Sequence, residues 1–437
     1  AIGDGHLALQ GTGLPGRAPG QNYTNTDYDF VDDTQPEDVA SAHVTARKKF
    51  QHAFDAGQLV DTRERRRVVG DVEVSPMDIR LKRVFPDSLV KARSNFDTHG
   101  FTVHPLFMIV PPGHDPLEAF VPLRALLPRG LEGILVTGLG ISAHRDAMPV
   151  IRMQADVQNQ GYAAGTLAAM AGESALRGLD LADVQARLVA EGILEAEIAG
   201  ATDSFPLPEA EIAAALRNAP QDPDQIDRVF TLPDAERNAR LQAAWRTAAD
   251  SESRRFYAFV LGILGLSEGV EDLAAQVREL PWDAGWNYTG MGQFGESMSA
   301  LDARIIALGR CGRPEDALLL AEKASGLPAD AAFSHYRVLA EAWMALGNPA
   351  AVPTLESLLA REGIQGHALQ SGSARAAKTS EDPNETGPRN QALIELHLAT
   401  ALWRLSPGHP VARAILGAYA RDVRGLFARF AAGVLKA

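Results

Sequence analysis

Three histidines and one arginine in this sequence stand where they could move protons or hold an anion. His99 and His104 share the segment NFDTHGFTVHP, and His144 sits in SAHRDA. An imidazole titrates near neutral pH and can take or give a proton during bond cleavage. A histidine can equally cap a turn or fill a core, and both roles are open for all three. Arg152 could pair with a phosphate or a carboxylate, or with its neighbours Asp146 or Asp156. Cys311 is the only cysteine, which excludes an internal disulfide and a multi-cysteine metal or iron–sulfur centre. No metal site is expected. Gly11-Thr12-Gly13-Leu14-Pro15-Gly16 spells G-x-G-x-x-G. Such a loop holds a dinucleotide only when it follows a strand and opens a helix. Here GRAPGQNYTN follows Pro15, which is no helix, so the string reads as a turn-rich loop.

The elements that must carry these residues follow from composition and spacing. Residues 1–40 are rich in Gly, Asn, Asp and Pro and read as loop with one strand. Residues 38–60 carry helical spacing, with Gly57 as a stop. Residues 66–125 alternate through RRVVGDVEVS, FTVHPLFMIV and EAFVPLRAL, which predicts strands of a mixed or antiparallel sheet. The run LEGILVTGLGI (131–141) predicts a buried parallel strand ending in a glycine turn. QNQGYAAGTLAAMAGESAL (158–176) predicts a helix. Its small residues at 161, 164, 165 and 168 admit close approach.

From residue 206 the chain is nearly all helical, and it repeats. LGLSEGVEDLAAQV (264–277), LGRCGRPEDALLLA (308–321), LGNPAAVPTLESLL (346–359) and LSPGHPVARAILGA (405–418) each give a leucine, a turn and an amphipathic helix. The spacing is roughly the 40 residues of HEAT-type helical pairs. The polar stretch 371–390 interrupts the last interval as a surface loop. Trp282, Trp286 and Tyr288 could form a binding platform or anchor a core. FYAFVLGILGL (256–266) is about half a bilayer span and reads as a buried helix.

Residues 132–165, EGILVTGLGISAHRDAMPVIRMQADVQNQGYAAG, resemble the C-terminal flavin-contacting element of the FAD-dependent oxidoreductase family related to glutathione-reductase-type, two-dinucleotide-fold flavoproteins. The positions that carry the resemblance are Leu135-Val136-Thr137-Gly138, Ile141-Ser142-Ala143, Arg152 and Gly161-Tyr162-Ala163-Ala164-Gly165. VPLRALLPRGLEGILV (121–136) is similar to the family's lead-in, and RRRVVGDVEVSPMDIRLKRVFPDSL (65–89) to an earlier segment. NFDTH (95–99) falls where the family places I-D-x-H. Ala1-Ile2-Gly3-Asp4-Gly5 resembles a turn that such proteins carry late in their FAD domain. Leu139 stands where the family often has arginine, so no contact from that side chain carries over.

The resemblance implies FAD as cofactor. It implies flavin contacts at Gly138, Ser142, Arg152, Gly161, Tyr162, Ala163 and Ala164, with Gly3 and Asp4 nearer the pyrophosphate or ribose. A helix beginning near Gly161 would aim unpaired N–H groups and a positive dipole end at the ring. His144, for proximity, and His99, for family position, are the candidate proton acceptors. The fold class expected is α/β plus α: an incomplete Rossmann-like FAD-binding domain with a mixed β substrate domain, then a HEAT-like helical domain. The expected organisation is a returning FAD-domain segment (1–20), a substrate or cap domain (21–125), the C-terminal part of the FAD domain (126–175), linker helices (176–205) and helical repeats (206–437). The ADP-binding βαβ unit is expected on a second polypeptide, which makes this chain a subunit or matured fragment.

The formal net charge of −13 argues against a nucleic-acid partner, because phosphate binding requires a basic face. No run reaches membrane-spanning length and no targeting signal is visible. The expectation is a soluble protein of unspecified compartment. Two functions remain open from sequence. One is an FAD-dependent oxidoreductase that transfers hydride from a small organic substrate, with the repeats covering the site or recruiting a partner. The other is a non-catalytic helical-repeat scaffold built on a degenerate flavin fold.

Overall fold

The computed structural model describes residues 6–10, 23–30, 36–37, 40, 61–62, 66–96, 102–113, 115–172, 174–286, 299–371 and 387–436. Gly3, Asp4, His99, Tyr288, the G-x-G-x-x-G string, most of the helix expected at 38–60 and most of the 371–390 insert lie outside the described residues. The chain divides into two units. One comprises residues 64–253 with 294–296, the other residues 1–63, 254–293 and 297–437. Strands β1 (His6–Gln10), β2 (Tyr23–Phe30) and β3 (Asp61–Thr62) pair antiparallel in the order β2-β1-β3.

The 64–253 unit is built around an antiparallel ribbon, β4 (Ser88–Ser94) and β5 (Leu117–Pro122), with Ala92 opposite Ala119 and Val90 opposite Val121. Helix α1 (Pro76–Arg80) precedes it. Ser75 accepts from the Asp78 N–H and Asp78 accepts from the Ser75 N–H, a reciprocal cap, while Pro76 fills a position that needs no donor. Short helices α2 (Leu123–Leu126) and α3 (Met148–Ile151) lead to α4 (Gln154–Ala171) and α5 (Leu181–Ala190). Leu89, Phe96, Phe107, Phe120, Ile141, Val150, Leu167 and Leu188 meet in one core. α6 (Glu209–Asn218), α7 (Ile226–Val229) and α8 (Asp234–Thr247) complete the unit.

Four sequence expectations change here. RRVVGDVEVS forms no strand, only isolated bridges at Gly70 and Val74. Within FTVHPLFMIV the described residues 102–110 are not a strand: residues Pro105–Met108 form a 3-10 turn. Pro105 removes a ladder donor, and His104 Nδ1 caps the Leu106 N–H, so the alternating pattern yields to local turn chemistry. The small-residue helix begins at Gln154, because Met153 is extended and the glycines inside are tolerated by their neighbours. LEGILVT forms no strand, and no parallel sheet occurs among the described residues. A single parallel bridge links Val74 with Ala143.

The other unit is helical: α9 (Ser251–Ile263), α10 (Val270–Glu279), α11 (Ala300–Cys311), α12 (Asp316–Ser325), α13 (Phe333–Leu346), α14 (Val352–Leu359), α15 (Gly387–Leu405), α16 (Pro410–Tyr419) and α17 (Gly425–Lys436). The helices predicted after each repeated turn are α10, α12, α14 and α16. α11 packs on α13 and α13 on α15, while α10 packs on α12 and α12 on α14. The recurring glycines serve different ends. Gly347 takes φ +67° after α13. Gly309 lies where α11 meets α13, and a Cβ there would stand 2.6 Å from Ala342 Cα. No helix among the described residues is long and apolar enough to cross a membrane.

Candidate active site

A single side-chain amide ties the glycine turn to the far end of the polar loop after it. Gly138 is buried with φ +67°, a conformation that favours glycine. Its N–H donates to Gln160 Oε1 at 3.0 Å, and Gln160 Nε2 donates to the Ile151 carbonyl at 2.8 Å. Gln160, fully buried on α4, thus ties the start of the loop to its end. Between these points the backbone is fixed by residues 68–74. Val68 N–H donates to Gly140 O (2.9 Å), Val74 N–H to Ser142 O (3.1 Å) and His144 N–H to Val74 O (2.8 Å). The Ser142 N–H donates to Ala125 O at 2.9 Å.

Asp146, with no exposed surface, organises the chemistry. Its Oδ2 accepts from the Val103 N–H (2.8 Å) and the His104 N–H (2.7 Å), and Arg145 Nη1 donates to Oδ1 (3.0 Å). These bonds bring His104 to His144, with ring centroids 5.2 Å apart and planes at 88°. The pair is walled by Phe107 at 6.4 Å and Phe230 at 6.0 Å from the His104 ring, and Arg237 lies over Phe230.

Both Nδ1 atoms accept backbone hydrogen bonds, His104 from the Leu106 N–H (3.2 Å) and His144 from the Asp146 N–H (3.1 Å). The network therefore places the proton of each neutral ring on Nε2. Burial pushes His104 down to about 4, helped by His144 beside it and opposed by the Asp146 charge. Burial also lowers His144, again against the pull of Asp146. Near pH 7 the site offers two neutral Nε2–H donors in a poorly solvated setting. Such donors stabilise negative charge developing on an oxygen. In this tautomer His144 accepts a proton only after releasing the Asp146 N–H.

Two further polar atoms belong to neighbouring segments. Thr102 Oγ1 and Asp156 Oδ2 are buried without a hydrogen-bond partner among the described residues. Burial raises Asp156 to about 6. Asp156 stands in the first turn of α4, directly after the loop.

His144, Gly138 and Ser142 thus share one loop, and Arg152 ends α3 half-buried. Gly161, Tyr162, Ala163 and Ala164 lie beyond the first turn of α4, where their N–H groups belong to the helical ladder. The expected helix start near Gly161 is displaced to Gln154. Ala163 is buried, while Gly161 and Tyr162 face outward. Gln160 and the anchoring role of Asp146 were not read from sequence. Asp146 acts on residues about 40 positions upstream, so no local pattern signals it. Phe230 carries no signal either. Among the described residues no group of three or more His, Cys, Asp or Glu could hold a metal ion. None of the curated proteins searched matches the chain. Residues 18–188 match the model of a family described as FAD dependent oxidoreductase, and over that span the chain is similar to flavin-dependent oxidoreductases.

Proposed function

We propose that the chain is part of an FAD-dependent oxidoreductase, with the site on the 137–153 loop. The observation that carries this is the neutral His104–His144 pair, held by buried Asp146 on a glycine-turn loop inside the matched span. When bound, FAD would supply a two-electron acceptor for hydride from a C–H bond of a small organic substrate, including one next to nitrogen. The residues present fit its ring end: two neutral N–H donors, aromatic walls, an unpartnered Thr102 hydroxyl and a tightly bonded loop backbone.

His104 and His144 hold Nε2 protons for an oxygen that gains charge as electrons move. The proton released with the hydride goes elsewhere. His99 is the sequence-based candidate, and Asp156, poised near pH 6, is a second. Arg152 pairs with a phosphate or a substrate carboxylate. Gly3 and Asp4 remain sequence-based candidates for cofactor contact, whereas the N–H groups of Gly161–Ala164 are used within α4. The ADP end has no glycine-rich strand–turn–helix among the described residues, and a second polypeptide provides it. The helical unit acts as a HEAT-like array that recruits a partner.

Absorbance spectroscopy of the assembled protein tests this. Flavin bands that titrate with added FAD support the reading, and a preparation that stays colourless after FAD addition overturns it. Intact-mass analysis under denaturing conditions tests the second polypeptide. A single longer chain from the native source overturns the two-chain arrangement and leaves the flavin reading standing.

A further inference from the structure

A cavity of about 390 Å³ opens on the 64–253 unit, and none of its lining residues belongs to the 137–153 loop. That volume suits a small metabolite. Its apolar part is Pro86, Leu123, Leu127, Leu179 and Leu181. Leu123 and Leu127 are buried, whereas Leu179 and Leu181 are half-buried. Its charged part is Arg124, Arg177, Asp71, Asp87 and Asp203.

The two guanidiniums are used differently. Arg177 engages every N–H it has. Its Nε donates to Asp71 (2.7 Å), its Nη1 to the Leu131 carbonyl (2.6 Å) and Glu132 (2.8 Å), and its Nη2 to the Pro128 carbonyl (2.6 Å) and Asp71 (3.3 Å). Arg124 keeps one edge open. Its Nε and Nη2 donate to Asp87 at 3.0 and 2.8 Å, and Asp87 also accepts the Arg124 backbone N–H at 2.9 Å. That grip fixes the guanidinium plane. Nη1 makes no hydrogen bond among the described residues, and the side chain is 40% exposed. Nη1 and the outer Nη2 hydrogen form the fork that takes a carboxylate through two parallel hydrogen bonds.

The aspartates offer the complementary acceptors. Each Asp71 oxygen accepts one Arg177 N–H, and Asp203 Oδ2 accepts only Arg83 Nη2 (2.9 Å) among the described residues. A carboxylate oxygen has a second lone pair to give. Arg177 holds Asp71 below the usual carboxylate range, and Arg83 holds Asp203 there against the opposing effect of burial. Both are charged near neutral pH, and both feel the Arg124 charge. A phosphate or a dicarboxylate would meet three aspartates, and a simple amine would meet two arginines. A zwitterion with an apolar body avoids both conflicts.

We propose that this cavity binds a free α-amino acid with an apolar side chain. Its carboxylate lies on the open edge of Arg124, its ammonium against Asp71 or Asp203, and its side chain on the leucines.

Isothermal titration calorimetry of the full chain with L-leucine, L-methionine and L-phenylalanine tests this. At least one binds with a Kd below about 1 mM, and the absence of binding by all three overturns the proposal. For the tightest of them, the analogue lacking the ammonium and the analogue lacking the carboxylate each bind about tenfold more weakly or worse. Equal binding of either analogue overturns the zwitterion. Arg124→Gln weakens binding about tenfold or more. Because that change also leaves Asp87 without its partner, a second variant keeps the pair intact. Leu181→Trp fills the cavity from a half-buried position at the start of α5. Loss of binding at unchanged Tm supports the proposal, and full affinity in this variant overturns it. The test needs neither flavin nor a second chain.

Discussion

The two units bury histidines in opposite electrostatic settings. In the 64–253 unit, the Nδ1 atoms of His104 and His144 receive backbone N–H groups, and both rings stay neutral. In the helical unit, His335 meets acceptors at both nitrogens, with Asp302 Oδ1 2.6 Å from Nδ1 and the Asp283 carbonyl 3.0 Å from Nε2. Both nitrogens must donate, which only the imidazolium does. His335 is accordingly raised: burial opposes the charge, but the hydrogen bond and charge of Asp302 outweigh it. Burial alone does not set a histidine's charge. The donors and acceptors lining its cavity do.

The sharpest way to break this comparison is His335→Leu, which leaves Asp302 buried at 2% exposure without its counter-charge. A loss of about 4 kcal/mol in denaturant unfolding of the helical unit is expected. His335 stabilises fully below its ordinary value near 6.5, and that contribution fades as pH rises through its raised value. His335→Leu abolishes this alkaline dependence.

Acid gives the next largest effect, with the opposite sign. His104 stabilises the 64–253 unit fully above pH 6.5, and the contribution is lost as pH falls from there toward about 4. Up to about 3 kcal/mol disappears over that window. Imidazole resonances followed by NMR check it, and a His104 that titrates near 6.5 breaks the contrast.

Gln160→Leu strands the Gly138 N–H and the Ile151 carbonyl, so a loss of about 2 kcal/mol in thermal unfolding is expected. His144→Gln keeps a side-chain amide able to donate. Turnover by the flavin-loaded protein falls about tenfold with stability nearly unchanged. An unchanged rate removes His144 from the chemistry.

What was legible in the sequence followed the range of the interactions. The glycine turn at 138 and the loop bearing His144 are local features, and they appear where the residues placed them. The helices after each repeated turn are set by amphipathic spacing, so α10, α12, α14 and α16 were readable. Pro105 shows the opposite case, a local breaker hidden in an alternating run. The start of α4 was misplaced because Q-A-D-V-Q-N-Q, between Met153 and Gly161, sustains a helix without needing the glycines. LEGILVT has strand composition but lacks a neighbour, and strand formation requires one. Asp146 and Gln160 work through partners in other segments, which spacing along the chain does not encode.

The Gln160 bridge also bears on timing. One side chain ties Gly138 to Ile151, so breaking that bridge frees both ends of the loop together. The middle of the loop keeps its own bonds to residues 68–74 and to Ala125. Relaxation-dispersion measurements should then show Gly138 and Ile151 sharing one exchange rate that Ser142 and His144 do not follow.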